Sequence, residues 1–357
     1  MLFGWRRRKE IAVLAVVLIV GVVLACQSKS RPGEAINISG AGSTFVNPIM
    51  SRWTSDYQKQ YPNVFINYQS VGSGAGIQQV KNGLVDFGAS DAPLDDQQLS
   101  AMPAVVQIPE SAGPVCITYT LPGVQNLKLT PAALSGIYLG TIKNWQDPAI
   151  AQANPGVTLP NSAILVVHRS DGSGTTNIFT SYLAAVSPQW AHKVGKGISV
   201  SWPVGLGGKG SEGVTGVVRQ TTGAIGYVEL DYAMENKLPV AAVENRAGKF
   251  VSPTASASTA AIAAFAAELD KDVRTPIVDP PSGASEAYPI SGLTFLFIPK
   301  DGPDKIKRQA VKGFAQYVVN SGQEIAPQLN YSKLPESVVQ LDQKLLQQMT
   351  AEGQLLP

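Results

Sequence analysis

The chain has 357 residues, which corresponds to about two domains at roughly 100–200 residues per domain. Hydrophobic residues make up 44% of the chain and charged residues 15%, a composition typical of globular proteins with sizeable apolar cores. The formal net charge of +2 excludes the strongly basic surface expected of a nucleic-acid-binding protein. Two cysteines and two histidines form no cluster with metal-ligand spacing. We therefore expect no metal and no other cofactor.

Residues 1–25 have the pattern of a lipoprotein signal peptide. Four basic residues at positions 6–9 precede an apolar run at 11–24, which is shorter than the roughly 20 residues needed to span a membrane. The run ends in Val23-Leu24-Ala25-Cys26, which resembles a lipobox, so we expect cleavage before Cys26 and a lipid on that cysteine. The alternative is an uncleaved anchor helix. Both place the rest of the chain in the periplasm or at the cell surface, after a polar tether at 26–35.

Strand-like and helix-like segments alternate after the tether, which indicates α/β layers. The first segments are a strand at 36–39, a loop at 40–44, a helix from Phe45 through Ile49, Trp53 and Tyr57, and a strand at 65–69. A glycine loop at 72–76, a helix through Ile77, Val80 and Leu84, and a strand from Val85 to Asp91 follow. The next are a buried strand at 114–119 that includes an inert Cys116, an apolar strand at 163–167, a loop at 169–175 and a helix through Ile178 and Leu183. An alanine-rich helix at 260–269, a proline-rich connector at 275–289 and two amphipathic helices complete the chain. The first amphipathic helix lies at 306–318 before Gly322, and the second, at 338–349, has an apolar stripe of Val338, Leu341, Leu345 and Met349.

Three loops share one design, in which a strand leads into a turn rich in Gly, Ser and Thr and then into a helix. They lie at residues 40–44, 72–76 and 172–175. A helix N-terminus offers unpaired N–H groups and a partial positive charge, glycine permits close approach, and hydroxyls add donors. Each loop alone could be an ordinary helix cap. Together, with Asp91 after one strand and Arg169 after another, the three predict a shared site for a small oxyanion.

Several motifs resemble the phosphate-binding proteins of the phosphate-specific ABC importer, in the periplasmic-binding-protein superfamily. The resemblance extends from about Ile36 to the end of the chain. The motifs are Gly40-Ala41-Gly42-Ser43-Thr44-Phe45, residues 85–94 around Ser90-Asp91, Arg169 with Asp171-Gly172-Ser173-Gly174-Thr175, Ile137-Tyr138-Leu139-Gly140, residues 202–210, and residues 223–229.

The resemblance implies a two-domain α/β fold of type II with the ligand in a cleft between the domains. Domain I would comprise residues 36–113 and 289–357, and domain II residues 114–288. The implied phosphate ligands are Thr44, Phe45 through its backbone N–H, Ser73, Asp91, Arg169, Ser173, Gly174 and Thr175, with Asp171 holding the guanidinium of Arg169. The implied function is capture of inorganic phosphate and its delivery to an ABC permease and its ATPase complex. The protein would be a monomer, would bind no nucleic acid and would not be an enzyme.

Asp91 and Arg169 are the residues whose chemistry is most informative. The planar guanidinium of Arg169 suits two oxygens of one anion, although an ion pair with Asp171 alone is the structural alternative. A carboxylate at Asp91 tolerates an anion only if that anion carries a proton to donate. Phosphate carries such a proton near neutral pH and sulfate does not, so Asp91 together with Arg169 predicts selection of phosphate over sulfate. The structural alternative for Asp91 is a turn or a helix cap.

Two other classes of protein remain as alternatives. A phosphate-ester hydrolase needs a nucleophile and a base, but only His168 and His192 are available, and no Gly-x-Ser-x-Gly elbow follows a strand. Residues 205–210 fit Gly-x-Gly-x-x-Gly, yet Gly210 stands where a phosphate-binding P-loop needs Ser or Thr, so we expect a supporting loop there. A surface signalling or adhesion protein on the same fold is the second alternative.

Overall fold

The computed structural model describes residues 33–357. The leader predicted at 1–25, the lipidation site Cys26 and the tether up to residue 32 lie outside the described residues. Within 33–357, no helix has both the length and the apolar character needed to cross a membrane.

Eight strands form the central sheet of the described chain. Their bounds are β1 Ile36–Gly42, β2 Val64–Ser70, β3 Phe87–Ser90, β4 Val105–Tyr119, β6 Leu165–Arg169, β7 Leu206–Gly208, β8 Ala224–Glu229 and β11 Ser291–Pro299. The short strands β5 Lys128–Leu129, β9 Ala242–Glu244 and β10 Phe250–Val251 form a second sheet, and β12 Thr350–Ala351 pairs with β13 Gln354–Leu355. The order in the central sheet is β2-β1-β3-β11-β4-β8-β6-β7.

The central sheet consists of two parallel halves joined by antiparallel strands. In the first half β1 pairs in parallel with β2 and β3, and in the second half β6 pairs in parallel with β7 and β8. Between them, β11 is antiparallel to both β3 and β4, and β4 is antiparallel to β8. The 15-residue β4 is continuous across residues 113 and 114, so it links the two halves without a break. The domain boundaries proposed at these residues stay a prediction.

Helices cover both halves of the sheet. The bounds are α1 Asn47–Gln60, α2 Ser73–Lys81, α3 Asp96–Ser100, α4 Pro131–Tyr138, α5 Pro148–Ala151, α6 Gly174–Val186, α7 Pro188–Lys193, α8 Gly210–Gln220, α9 Leu230–Glu235, α10 Ala255–Ala264, α11 Ala266–Leu269, α12 Lys305–Val319 and α13 Glu336–Leu346, with a 3-10 helix at Ser321–Leu329 between the last two.

The apolar stripes predicted from the sequence are largely the buried faces of these helices. In α1, Ile49, Trp53 and Tyr57 recur every four residues and are buried, as predicted. The indole of Trp53 also donates to the carbonyl oxygen of Gly322 at 2.8 Å, which ties α1 to the 3-10 helix. Cys116 is buried in β4 and forms no disulfide within residues 33–357. Burial raises the pKa of its thiol well above the ordinary value, which disfavours the reactive thiolate.

Four local predictions were wrong. The segment 72–76 is not a loop throughout, because α2 already begins at Ser73; α2 ends at Lys81, and Leu84 is exposed beyond it. The strand predicted at 163–167 lies two residues later, as β6. The alanine-rich helix is divided into α10 and α11, because Phe265 between them leaves helical geometry. In α13 Val338 is buried as predicted, as is Met349 beyond its end, but Asp342 and Leu346 are buried in place of the predicted Leu341 and Leu345, which are only partly buried.

Candidate functional site

The register of β4 brings the carboxyl ends of both halves of the sheet to one place. β3 ends at Ser90, which pairs with Phe295 of β11, and Phe295 in turn pairs with Pro109 of β4. β8 runs in the opposite direction and ends at Glu229, which pairs with Val115 of β4. The strands of both halves therefore point toward the middle of β4. Ligands of open α/β sheets bind outside the carboxyl ends of the strands, so this is where a site is expected.

Asp91 directly follows β3 and lies at the centre of this region, with 2% of its surface exposed. Ser43 donates a hydrogen bond to its Oδ1 at 2.5 Å, and Thr175 donates to its Oδ2 at 3.3 Å. Burial raises the pKa of Asp91 to about 6, against the lowering effect of the Ser43 and Thr294 hydroxyls and of the charge on Arg169. The carboxyl group is thus a buried acceptor surrounded by donors.

Arg169 ends β6 and is also buried, with 4% exposure. Its Nε donates to Oδ1 of Asp171 at 2.8 Å and its Nη2 to Oδ2 at 2.5 Å, which is a bidentate pair. The N–H of Gly210 donates to the same Oδ1 at 3.0 Å. Burial alone would lower the pKa of Arg169, but the hydrogen bond and the charge of Asp171 raise it above its ordinary value. Asp171 therefore holds one edge of the guanidinium and fixes the direction of the other.

The backbones of the two halves of the sheet meet at Ser73 and Gly174, the first residues of α2 and α6. The N–H of Gly174 donates to Oγ of Ser73 at 2.9 Å, and the N–H of Gly74 donates to the carbonyl of Gly172 at 2.9 Å. A Cβ on Gly174 would lie 2.5 Å from the backbone nitrogen of Asp91, so no larger residue fits there without movement of the main chain. Glycine is required at this position by the close approach of the two backbones.

Ser173 and its neighbours form the first turn of α6. Oγ of Ser173 accepts a hydrogen bond from the N–H of Thr176 at 3.1 Å, which is an N-cap. Ser173 therefore caps α6, and a hydroxyl that accepts still has a hydrogen to donate. The hydroxyl of Tyr227 lies 2.6 Å from Oγ1 of Thr176 and accepts from the N–H of Arg169 at 3.1 Å. Tyr227 thus connects α6 to the end of β6.

The loop after β1 contributes Ser43, Thr44 and Phe45. The N–H of Phe45 donates to Oγ of Ser43 at 3.0 Å, so this N–H, predicted to bind an anion, has a partner within its own loop. Oγ1 of Thr44 lies 2.8 Å from Oγ of Ser211 and accepts from the N–H of Ser211 at 3.1 Å. The hydroxyl of Tyr232 lies 2.7 Å from the carbonyl oxygen of Thr44. The structure thus groups Thr44 with residues of the second half of the sheet.

The predicted site residues therefore lie around Asp91 in one region, and three further residues lie among them that the sequence reasoning missed. Ser43 belongs to the motif quoted above but was not included among the ligands. Ser211 follows β7, and its only signal in the sequence is that the loop at 205–210 leads into a helix, as the three anion loops do. Tyr232 lies in α9 after β8, and the sequence gives no comparable signal for it.

The two histidines lie in ordinary environments. The ring of His168 stacks on Trp202 with centroids 4.8 Å apart, and its Nδ1 lies 3.0 Å from the carbonyl oxygen of Arg169. His192 is exposed on α7. Within residues 33–357, no group of three or more His, Cys, Asp or Glu side chains is arranged to hold a metal ion.

Solved structures of phosphate-binding proteins resemble this one in fold. The phosphate-binding protein from Stenotrophomonas maltophilia aligns with a TM-score of 0.63 at 21% identity, covering 85% of this chain and 92% of that chain. The high-affinity periplasmic phosphate-binding protein PfluDING, solved bound with phosphate, aligns with a TM-score of 0.68 at 22% identity, covering 86% and 93%. These likenesses confirm the predicted two-domain α/β fold of a periplasmic binding protein.

The sequence matches the same group of proteins. A family model described as a PBP superfamily domain matches residues 28–321. The phosphate-binding protein PstS of Xylella fastidiosa (strain Temecula1) is 43% identical, over 86% of this chain and 84% of that protein. The phosphate-binding protein PstS of Methanocaldococcus jannaschii is 39% identical, over 92% of this chain and 91% of that protein. The chain therefore belongs to the PBP superfamily and, within it, to the PstS family of phosphate-binding proteins.

Proposed function

We propose that this chain captures inorganic phosphate outside the cytoplasmic membrane and delivers it to a phosphate ABC permease with its ATPase complex. The observation that carries the proposal is the buried carboxyl group of Asp91, which lies among hydroxyl donors near the buried guanidinium of Arg169. The names of the PstS relatives support the same ligand.

The proposed phosphate ligands follow from what each group can offer. Arg169, with the edge of its guanidinium that Asp171 does not engage, supplies positive charge. Hydroxyls and amides at helix starts supply neutral donors, and Asp91 supplies an acceptor for the proton of the phosphate. The full set is Thr44, the N–H of Phe45, Ser73, Asp91, Arg169, Ser173, Gly174 and Thr175, with Asp171 as the residue that orients Arg169.

A bound anion would receive donors from both halves of the sheet, since Ser73 follows β2 and Arg169 ends β6. This arrangement supports two domains, at 36–113 with 289–357 and at 114–288, that close on the ion about β4 and β11. The N–H groups of Phe45 and Gly174 have protein partners in the structure. We expect phosphate to take over these N–H groups when it binds.

We propose further that the protein is a monomeric, lipid-anchored carrier that does no chemistry on its ligand. The sequence Val23-Leu24-Ala25-Cys26 supports the anchor, and replacing Cys26 by Ser should abolish the incorporation of a labelled fatty acid into the protein. The stacked His168 and the exposed His192 give little support to a phosphate-ester hydrolase. A generic phosphoester that is turned over by the purified protein would favour the enzyme.

Calorimetry with phosphate and sulfate at pH 7.5 tests the proposal, on protein freed of any bound anion by unfolding, dialysis and refolding. We expect a single phosphate site and sulfate binding weaker by about 10⁴-fold or more, because sulfate brings no proton to Asp91. Comparable affinities for the two anions would refute the role of Asp91. The absence of any phosphate binding would refute the proposed function.

A further inference from the structure

The N-terminus of α8, which follows β7 in the second half of the sheet, contacts the loop after β1 in the first half. Ser211, the second residue of α8, places both its N–H and its hydroxyl on Oγ1 of Thr44, at 3.1 and 2.8 Å. Both side chains are buried. Thr44 is thus a residue whose hydroxyl is engaged by the opposite half of the sheet.

The hydrogen bonds at Thr44 restrict the directions in which its hydroxyl can point. A hydroxyl has one hydrogen to donate and two lone pairs that accept. The N–H of Ser211 can only donate, so it occupies one lone pair of Oγ1 of Thr44. If the Ser211 hydroxyl also donates, it occupies the second lone pair, and the hydrogen of Thr44 must point to a third group.

The main chain of Thr44 is fixed from the same side. The hydroxyl of Tyr232 lies 2.7 Å from the carbonyl oxygen of Thr44 and 2.9 Å from Oε1 of Glu212, which neighbours Ser211 on α8. A single hydroxyl hydrogen cannot serve both acceptors at once. With the hydrogen on the carbonyl, Thr44 is held by its hydroxyl and its carbonyl together, so the remaining rotation of its side chain is small.

We propose that Ser211 is a positioning residue that directs the hydroxyl hydrogen of Thr44 toward the bound phosphate. This inference rests on the proposed function and deepens it. Ser211 does not itself contact phosphate in this scheme. Because Ser211 and Thr44 belong to opposite halves of the sheet, the hydroxyl of Thr44 is oriented only when the halves are together, so closure and ligand contact occur in one step.

A double-mutant cycle tests whether Ser211 acts on phosphate affinity through the hydroxyl of Thr44. Ser211→Ala removes one hydrogen bond to a neutral group, and we expect phosphate affinity to fall about 2- to 12-fold. Thr44→Val removes the hydroxyl through which Ser211 acts, so Ser211→Ala should have no further effect on affinity in that background. Thr44→Ser keeps the hydroxyl, and the effect of Ser211→Ala should return.

Thr215→Val is the matched control, because Thr215 lies one turn further along α8 and its buried hydroxyl has no partner among the described residues. We expect this variant to bind phosphate as the unmutated protein does. The role of Ser211 would be overturned if Ser211→Ala lowered phosphate affinity equally in the unmutated background and in the Thr44→Val background. It would also be overturned if Ser211→Ala caused no loss of phosphate affinity. An unmutated protein without phosphate binding would overturn the proposed function and this role together, so the two failures are distinguished by the first titration.

Discussion

Replacing Asp91 by Asn removes the charge of a buried carboxyl group and leaves its shape nearly unchanged. In the structure the two carboxylate oxygens accept from Ser43 and Thr175, and a proton of the ligand would be a further donor to this group. An amide offers one accepting oxygen and replaces the other with an NH₂ group that donates. The variant therefore presents a donor where the site now presents an acceptor.

The expected change follows from the kind of hydrogen bond that is lost. A hydrogen bond to a charged group contributes about 1.5–3 kcal/mol, so phosphate affinity should fall by about 10- to 150-fold. Sulfate, which meets a repelling charge in the unmutated protein, should bind more tightly to the variant, because that charge is gone and the amide can donate to it. The ratio of phosphate to sulfate affinity should fall by more than the loss of phosphate affinity alone.

Calorimetry of both anions between pH 5 and 8 measures this ratio. Since burial raises the pKa of Asp91 to about 6, the carboxyl group is protonated below that pH and can itself donate to sulfate. We expect sulfate affinity of the unmutated protein to rise as the pH falls through about 6, and the Asn variant to show little of this dependence. Asp342→Asn is the control, since it replaces another fully buried carboxyl group, on α13.

Two results would refute the reasoning. One is a ratio of phosphate to sulfate affinity that stays the same in Asp91→Asn, because selection would then come from other groups. The other is the same loss in Asp342→Asn as in Asp91→Asn, which would mean that burying an amide on this fold, and not the position beside Arg169, weakens binding.

Two further predictions concern packing and pH. Gly174→Ala places a Cβ 2.5 Å from the backbone of Asp91, so phosphate affinity should fall at least about 10-fold and small-angle scattering should no longer detect the closed form. Gly216→Ala, in open space on α8, is the control and should stabilise the protein by about 0.5–1 kcal/mol without changing phosphate affinity. Equal behaviour of the two variants would contradict the steric argument. Burial raises the pKa of Asp342 to about 9, so its contribution to stability is present at low pH and is lost as the pH rises toward 9. In urea unfolding between pH 5 and 8, the unmutated protein should lose at most about 1.4 kcal/mol of unfolding free energy per pH unit relative to Asp342→Asn. Unfolding free energies of the two proteins that change with pH in parallel would contradict a raised pKa.

Much of the fold was predictable because its signals are local. The stripe of Ile49, Trp53 and Tyr57 specifies a helix face, and the apolar run before Arg169 specifies a covered strand. In α13 the sequence points to Leu341 and Leu345, one residue before the buried Asp342 and Leu346, because Asp342 lies within the buried stripe. A carboxyl group in a core position contradicts the pattern on which the prediction depends, and only the three-dimensional environment shows that it is buried.

The site was predictable up to the point where contacts cross between distant segments. Arg169 and Asp171 are two residues apart, so their pairing could be expected. The contacts of Thr44 with Ser211 and Tyr232 join residues more than 160 positions apart, and they depend on the register of β4 with β11 and β8. No spacing in the sequence reports that register. The bulge in β4 opposite Thr294 and Phe295 was invisible for the same reason.

The contact between Gly74 and Gly172 has a consequence for the size of what the site can enclose. A Cβ on Gly74 would lie 3.1 Å from Cα of Gly172, so main chain meets main chain there. A side chain can change rotamer to admit a bulkier guest, but two touching backbones cannot. The two halves therefore meet at a fixed separation. We expect the site to enclose a bare tetrahedral ion and to exclude a sugar phosphate, whose organic group would hold the two halves apart.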